Sequence, residues 1–266
     1  MTRHQTAVPG APRFLFVGDS MTVGRAGDFT WRHRMWQHLE ATLGEGGYAI
    51  VGPRTGLYDA EADAAVSTAY ADPSFPAPAR RHLSGWGEGW LHMAPVIEEA
   101  VRTSRADVLL VSLGLIDLGF YTDSEQTAAN ARAFIAAARA ANPHVRMVLL
   151  PVIPNIRAES DAPFAAACAR FNALLAEAVA DLSTPGSPVL LTPHPSDYGI
   201  HADTYDGTHP GPSGEHKLAA TFADALHDAW SIGGRYAPEP DQVRVPEPEQ
   251  ALPLPPERTP VPEPAL

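Results

Sequence analysis

The chain has 266 residues, of which 45% are apolar and 19% charged, so its length and composition suit one globular domain with a large core. The net charge of −12 at pH 7 argues against a general nucleic-acid binder, which would carry a basic face. The one cysteine, Cys168, cannot form an internal disulfide, and no uninterrupted apolar run approaches membrane-spanning length. We therefore predict a cytoplasmic protein that binds neither nucleic acid nor a membrane.

Short apolar segments alternate with helical ones along the chain. Strands are predicted at 14–18, 48–52, 107–114, 145–151 and 188–193. Their apolar character is continuous rather than alternating, which is typical of strands covered on both faces in a parallel sheet. Helices are predicted at about 28–43, 88–103, 124–141, 161–182 and 213–229. This alternation predicts a doubly wound α/β fold, in which ligands bind at the carboxyl ends of the strands.

Two segments depart from the alternation. Residues 53–84 are predicted to be a long irregular connection, of the kind that often shapes a binding site. After about residue 232 the chain is rich in proline and glutamate, so it cannot bury enough apolar area to offset the entropy of ordering. We predict one domain over 1–232 and an extended, polyproline-like tail over 233–266, whose PLPP stretch also suits a partner protein.

The first predicted strand runs directly into a polar sequence, FLFVGDSMTVG at residues 14–24. Gly, Asp and Ser are ordinary turn residues, so one interpretation is a plain turn at the end of a strand. The other interpretation is that Ser20 is a nucleophile at the edge of the sheet where ligands bind. A nucleophilic serine needs a general base, which must come from elsewhere in the chain.

A candidate base lies in YDGTHPGPSGEHKLA, residues 205–219. Asp206 and His209 are three residues apart, in a stretch too rich in Gly and Pro for a regular helix. If the turn brings them together, the carboxylate fixes the imidazole tautomer and stabilises the imidazolium formed on proton transfer. A turn that merely leads into the next helix explains Asp-x-x-His equally well.

Taken together, Gly-Asp-Ser after the first strand and Asp-x-x-His-Pro before the last helix resemble the first and last motif blocks of the SGNH, or GDSL-type, hydrolase superfamily. The resemblance covers residues 14 to about 229 and implies a flavodoxin-like three-layer α/β sandwich with a five-stranded parallel sheet. It implies Ser20 as the nucleophile, His209 as the general base and Asp206 as the residue that orients the base. It implies a small-molecule ester substrate and no cofactor. The 11 histidines do not fall at a metal-ligand spacing, so we expect no metal site.

The resemblance also implies an oxyanion hole. Its donors would be the backbone N–H of Ser20, a glycine N–H in the second block and an asparagine side chain in the third. HLSGWGEGW, residues 82–90, resembles the second block, with Gly85 as the expected donor and Gly87 as the alternative. The third block should read Gly-x-Asn-Asp, but residues 114–117 read GLID, with Ile116 in place of the asparagine. Losing one such donor typically costs about two to three powers of ten in turnover.

Three interpretations of Ile116 stay open. Another side chain, such as Asn155 or Thr22, could supply the donor, or two backbone donors could suffice for a well-positioned substrate. Alternatively, the chain is an acyltransferase or a non-catalytic ligand-binding module on the same scaffold. The function we expect is an esterase that acts on a small oxygen ester through an acyl-enzyme on Ser20.

A looser resemblance bears on the substrate. DFTWRHRMWQHLEATL (28–43), followed by YAIVGPRTG, is similar to the sugar-acetyl-esterase side of the superfamily, which implies an O-acetylated sugar or natural product. Aromatic residues after strand ends are also common packing residues. The residues expected to contact substrate are Asp19, Trp86, Ile116, Asp117 and Phe120, with Trp90 and Tyr121 as further aromatic candidates.

Overall fold

A computed structural model describes residues 10–238 of the chain. Its strands are β1 (Arg13–Gly18), β2 (Ala49–Val51), β3 (Leu57–Asp59), β4 (Ala64–Ser67), β5 (Leu83–Ser84), β6 (Val108–Ser112), β7 (Arg146–Leu150) and β8 (Val189–Leu191). Its α-helices are α1 (Ser20–Val23), α2 (Trp31–Leu43), α3 (Trp90–Met93), α4 (Ile97–Ser104), α5 (Ser124–Ala141), α6 (Ala162–Leu182), α7 (Ile200–Asp203) and α8 (Pro212–Trp230). A π-helix spans Asp117–Tyr121, and 3-10 helices span Ala77–Arg80 and Ile156–Glu159.

The central sheet has the strand order β2-β1-β6-β7-β8, and each neighbouring pair in it is parallel. β5 pairs in parallel with the end of β1, where Val17 lies opposite Leu83. The order is flavodoxin-like, because the chain starts at an inner strand, moves to one edge and then builds towards the other. Over residues 10–238 the predicted α/β sandwich with five parallel strands is confirmed, and β5 is an addition to it.

Helices cover both faces of the sheet, which explains why its strands are apolar without alternation. In β6, every residue is buried, and alternate side chains enter different cores. Leu109 and Val111 pack in the core with residues of α4, α5 and α6. Val108 and Leu110 pack in the core with residues of α2 and α8.

Two predicted elements differ from the structure. The single helix predicted over 88–103 is broken into α3 and α4, because Pro95 lacks an N–H and cannot continue the first helix. The segment 53–84 is less irregular than expected. It contains the antiparallel hairpin of β3 and β4, a 3-10 helix and β5.

The folded chain continues past the predicted domain boundary at residue 232. Tyr236 donates its backbone N–H to the carboxylate of Asp224 at 2.8 Å, and its hydroxyl lies 2.7 Å from Nδ1 of His216. These contacts attach Tyr236 to α8, the domain bounds stay a prediction, and the predicted tail beyond residue 238 lies outside the described residues. Among residues 10–238 no helix is long and apolar enough to cross a membrane. The cytoplasmic location stays a prediction.

Candidate active site

Ser20 lies in the turn that joins β1 to α1. Asp19 caps α1, since its Oδ1 accepts a hydrogen bond from the backbone N–H of Met21 at 2.9 Å. Position 18 requires a glycine for steric reasons, because a Cβ there would collide with the side chain of Thr22 and lie 2.9 Å from the carbonyl oxygen of Ser112. The Gly-Asp-Ser sequence thus lets the strand turn directly into a helix whose first residue is the serine.

His209 and Asp206, the predicted base and acid, meet Ser20 at this turn. Nε2 of His209 lies 2.9 Å from Oγ of Ser20, and its Nδ1 lies 2.7 Å from Oδ2 of Asp206. Oδ1 of Asp206 accepts hydrogen bonds from the backbone N–H groups of Thr208, at 3.0 Å, and of His209, at 2.8 Å. Partial burial acts to raise the pKa of Asp206, but the hydrogen bonds from His209 and Thr208 outweigh it and hold that pKa below its usual value.

The acid and the base are carried by one short loop, residues 204–210, which we call the acid–base loop. It is closed by a hydrogen bond from the N–H of Tyr205 to the carbonyl of His209 at 3.0 Å and by a bridge between Thr204 and Pro210. Gly207 adopts a φ of 84°, a left-handed conformation that favours glycine. The closed loop therefore brings the side chains of Asp206 and His209, which are three residues apart in the sequence, within hydrogen-bond distance.

The two acidic candidates for substrate contact do not reach the cleft. Asp19 is buried, and burial raises its pKa to about 7. Asp117 is also buried and accepts the N–H groups of Trp90 at 2.8 Å and Leu91 at 3.0 Å, so it caps α3. Trp90 itself is a core residue. These side chains are therefore not among the residues that line the cleft beside Ser20, and the expectation that they contact substrate stays a prediction.

A cleft of about 380 Å³ opens beside Ser20 and His209. Its lining is largely apolar: Trp86, Leu115, Ile116, Phe120, Tyr121 and Phe164. Phe120 is 77% exposed, so a ligand in the cleft would cover apolar surface that is otherwise in water. The structure thus brings three of the predicted substrate-contact residues, Trp86, Ile116 and Phe120, to the same cleft as the nucleophile.

The predicted glycine donors differ in position. The N–H of Gly85 donates to the carbonyl of Gly18 at 3.2 Å, which extends the pairing of β5 with β1. Gly87 has a φ of 72° and lines the cleft. The role of Gly85 as an oxyanion donor stays a prediction, and Gly87 is the glycine that the fold places at the cleft wall.

The two side chains considered as replacement donors are also separated. Thr22 is buried, and its hydroxyl accepts a hydrogen bond from the indole N–H of Trp31 at 3.3 Å, away from the cleft. Asn155 lines the cleft. Its amide nitrogen donates to the hydroxyl of Thr208 at 3.1 Å, and its oxygen accepts the N–H of Arg157 at 3.2 Å. Of the two, only Asn155 is near the reacting groups.

Sequence reasoning missed an aromatic stack around the base. The His209 ring stacks against Trp86, at a centroid distance of 4.7 Å, and against Tyr205, at 5.7 Å. Tyr58 in turn stacks against Trp86 at 4.1 Å, and the guanidinium of Arg25 lies 3.8 Å from the centroid of Tyr205. Tyr205 could have been noticed because it precedes Asp206 directly, but nothing in the sequence places Tyr58 near it.

Another acidic side chain lies close to the triad. Glu215, in the first turn of α8, accepts the N–H of Thr30 at 2.7 Å and pairs with Arg34 at 3.2 Å. Burial raises the pKa of Glu215 to about 7, against the opposing effect of Arg34. The pair joins α2 to α8 beneath the acid–base loop. Within residues 10–238 no group of three or more His, Cys, Asp or Glu side chains could hold a metal ion.

The fold and the site define a class of protein. A serine, a histidine and an aspartate form one hydrogen-bonded chain at the carboxyl ends of parallel strands in a flavodoxin-like sandwich. This arrangement is suited to acyl transfer through an activated serine, as expected for SGNH-type hydrolases.

Comparisons with known proteins agree with that class. Residues 16–217 match the model of the GDSL-like lipase/acylhydrolase family. The fold resembles an acetyl esterase mutant with acetate ion, at 21% identity and a TM-score of 0.67 over 82% of this chain and 97% of the other. It also resembles a family 3 carbohydrate esterase from Talaromyces cellulolyticus, at 22% identity and a TM-score of 0.66 over 82% and 97%. A third neighbour is a family 3 carbohydrate esterase of Clostridium thermocellum, at 20% identity and a TM-score of 0.63 over 82% and 96%.

A search of curated proteins finds no sequence match. The family match covers most of the described chain, so the chain belongs to the GDSL-like lipase/acylhydrolase family. The predicted family is confirmed, and with it the class of enzyme, a serine esterase of the SGNH type.

Proposed function

We propose that the protein cleaves a small oxygen ester through an acyl-enzyme on Ser20. The observation that carries this proposal is the hydrogen-bonded chain from Oγ of Ser20 to Nε2 of His209 (2.9 Å) and from Nδ1 of His209 to Asp206 (2.7 Å). Oγ attacks the ester carbonyl carbon while Nε2 takes its proton, and the resulting imidazolium protonates the departing alcohol. Water then attacks the acyl-enzyme with His209 again as the base, which releases the acid and restores Ser20.

The negative oxygen of the tetrahedral intermediate needs hydrogen-bond donors. The first is the backbone N–H of Ser20, in the first turn of α1. The second is a glycine N–H of the turn at residues 85–88, where Gly87 lines the cleft and Gly85 is already paired with Gly18. Ile116 supplies no donor from its side chain, so this site has fewer donors than its resemblance to the superfamily implies.

We propose an O-acetylated sugar or a related polyol ester as the substrate. The structural neighbours that support this choice include carbohydrate esterases and an acetylxylan esterase from Geobacillus stearothermophilus. An acetyl group fills only a small part of a 380 Å³ cleft, so the alcohol would occupy most of it. Phe120 and Tyr121 are exposed at this cleft and offer flat apolar faces to a sugar ring.

The proposal is tested by hydrolysis of p-nitrophenyl esters from acetyl to octanoyl, together with acetylated xylo-oligosaccharides. We expect the acetyl ester to be the best of the series and activity to vanish in Ser20→Ala and His209→Asn. A wild type that is no faster than Ser20→Ala on every ester would contradict the proposal.

A second candidate is acyl transfer to an alcohol with the same three residues. The observation that favours it is the apolar cleft wall at Ile116, which makes the region beside Ser20 a poor site for ordered water. Adding acceptor alcohols during ester cleavage distinguishes the two reactions. A transferase should divert most of the acyl group to the acceptor, whereas a hydrolase should release it as free acid. A non-catalytic binding module should show neither reaction, and a fluorophosphonate should label its Ser20 no faster than background.

A further inference from the structure

Two aromatic rings, those of Trp86 and Tyr205, stack against the ring of His209. The planes of Trp86 and His209 differ by 17°, and those of Tyr205 and His209 by 16°. The centroid distances of 4.7 and 5.7 Å lie in the range of offset stacking. An imidazole held in this way cannot turn about its Cβ–Cγ bond without displacing one of its neighbours.

Trp86, one of the two stacked rings, lies in a tight turn. The N–H of Glu88 donates to the carbonyl of Gly85 at 3.2 Å, and Gly87 takes the left-handed φ that such a turn needs. Glu88 pairs with Arg54, which ties the turn to the neighbouring loop. Tyr58, on β3, stacks against Trp86 with only 15° between the planes. Trp86 is therefore held by its turn and by Tyr58 while its ring also contacts His209.

The Tyr205 side is held by the acid–base loop and by a cation. The backbone N–H of Tyr205 donates to the carbonyl of His209, so the two rings share one closed loop. The guanidinium of Arg25 lies 3.8 Å from the centroid of Tyr205, and Arg25 pairs with Asp28 at 3.4 Å. Each ring beside His209 thus has a second partner of its own, Tyr58 for Trp86 and Arg25 for Tyr205.

This support matters because the acid of the triad is open to solvent. The side chain of Asp206 is 43% exposed, whereas that of His209 is 16% exposed. A hydrogen bond between a base and a solvated carboxylate restrains the base less than one formed in a low-dielectric interior. An aromatic ring stacked on an imidazole adds a restraint of this kind, and the electron-rich face of such a ring attracts a nearby cation.

We propose that Trp86 and Tyr205 are positioning residues that clamp the ring of His209 so that Nε2 stays directed at Ser20. The inference rests on the proposed function, since it concerns the base of that reaction. It assigns Trp86 a role other than the substrate contact expected from the sequence, and it gives a role to a tyrosine that the motif does not include.

The kinetic test replaces Trp86 and Tyr205 either by an aliphatic residue, leucine, or by an aromatic one, phenylalanine. We expect Trp86→Leu and Tyr205→Leu to lower kcat for p-nitrophenyl acetate about tenfold, with KM nearly unchanged, because orientation of the base and stabilisation of the imidazolium act on the chemical step. Trp86→Phe and Tyr205→Phe keep a ring and should retain most of kcat. A rise in KM with unchanged kcat would overturn the inference in favour of a substrate contact. Equal loss in the Phe and Leu variants would overturn it as well.

The second test does not depend on turnover. In proton NMR, the ring protons of His209 are assigned by their loss in His209→Asn. Their chemical shifts should be displaced upfield by the stacked rings of Trp86 and Tyr205. The displacement should shrink in Trp86→Leu and persist in Trp86→Phe. Trp230→Leu is a matched control, since Trp230 lies at the end of α8 over Arg146, away from the site. Absence of the upfield displacement in the wild type would overturn the inference even if the enzyme is active.

Labelling of Ser20 by a fluorophosphonate separates the two proposals. A wild type that is labelled but cleaves no ester contradicts the proposed function alone, and the clamp is then supported by slower labelling of Trp86→Leu than of Trp86→Phe. If the wild type cleaves esters and both variants react at the wild-type rate, the clamp is wrong and the proposed function stands. A wild type that is not labelled at all contradicts both.

Discussion

The hydrogen bonds of Asp206 predict an unusual order of two substitutions: Asp206→Asn should be more damaging than Asp206→Ala. Oδ1 of this residue is committed to the N–H groups of Thr208 and His209, so an asparagine must place its oxygen there. Its NH₂ group would then face Nδ1 of His209, where Oδ2 lies in the wild type at 2.7 Å. An imidazole that accepts at Nδ1 carries its proton on Nε2, and a protonated Nε2 cannot take the proton of Ser20.

The magnitudes follow from this geometry. The wrong tautomer costs about four powers of ten in a triad with a buried acid, and we expect Asp206→Asn to approach that loss. In Asp206→Ala both neutral tautomers of His209 stay accessible, and its ring still stacks against Trp86 and Tyr205. The loss in kcat should therefore be only about ten- to a hundredfold. The alanine also removes the acceptor of two solvent-exposed backbone N–H groups, which costs about 0.5–1.5 kcal/mol of loop stability for each hydrogen bond lost.

The assay is kcat on the best ester found for the wild type, with thermal melting of both variants to confirm that the fold is intact at the assay temperature. Wild type and His209→Asn bracket the scale, since the latter has no base. An asparagine variant that is as active as the alanine variant, or more active, would refute the reasoning. It would mean that the carboxylate is not held in the orientation that the acid–base loop gives it.

Three further outcomes are expected. Ile116→Asn should raise kcat at least tenfold if a missing donor limits hydrolysis, measured against Ile116→Val, which restores no donor. Burial raises the pKa of Asp19 from 3.8 to about 7, so the folded state keeps a proton that the unfolded chain loses, and stability should fall as pH rises through that interval. Asp19→Asn should remove up to about 4 kcal/mol of that pH dependence in denaturant titrations at pH 4 and pH 8, whereas an unchanged slope would show that Asp19 is ionised when folded. Gly18→Ala should destabilise the protein by about 1–3 kcal/mol or more, because its methyl would meet Thr22 and Ser112. Gly186→Ala is the control and should not destabilise the protein, because an added Cβ there meets nothing within 4 Å. Equal melting temperatures of Gly18→Ala and Gly186→Ala would contradict the steric argument.

The strands and the family were predictable because both leave local signals. A strand covered on both faces, such as β6, must be apolar at successive positions, and that run is visible without knowing what covers it. The acid and the base lie within one loop, so Asp206 and His209 keep a fixed spacing in the sequence. The hairpin of β3 and β4 leaves no such signal, because β4 is short and none of its four residues is buried.

The roles of single residues in the site were harder to predict, because they depend on contacts between distant segments. Asp19 and Asp117 belong to the motifs, but only the fold reveals that their carboxylates cap short helices instead of facing the cleft. Likewise, Tyr58 reaches the base only through Trp86, and no local pattern records that contact. The turn interpretation of Gly-Asp-Ser describes the structure, and the same turn places Ser20 beside His209, as the catalytic interpretation requires.

Ser20 and His209, the proposed nucleophile and base, are separated by 189 residues in the chain. Ser20 follows the first strand of the sheet, and His209 precedes the last helix, so their contact closes a loop that includes almost the whole domain. Such long-range contacts are costly in chain entropy and form late unless other contacts shorten the path. Catalytic activity should therefore return in step with the slowest phase of refolding, after the parallel strands have assembled. Enzyme assay during refolding would thus time the closure of the fold without any added probe.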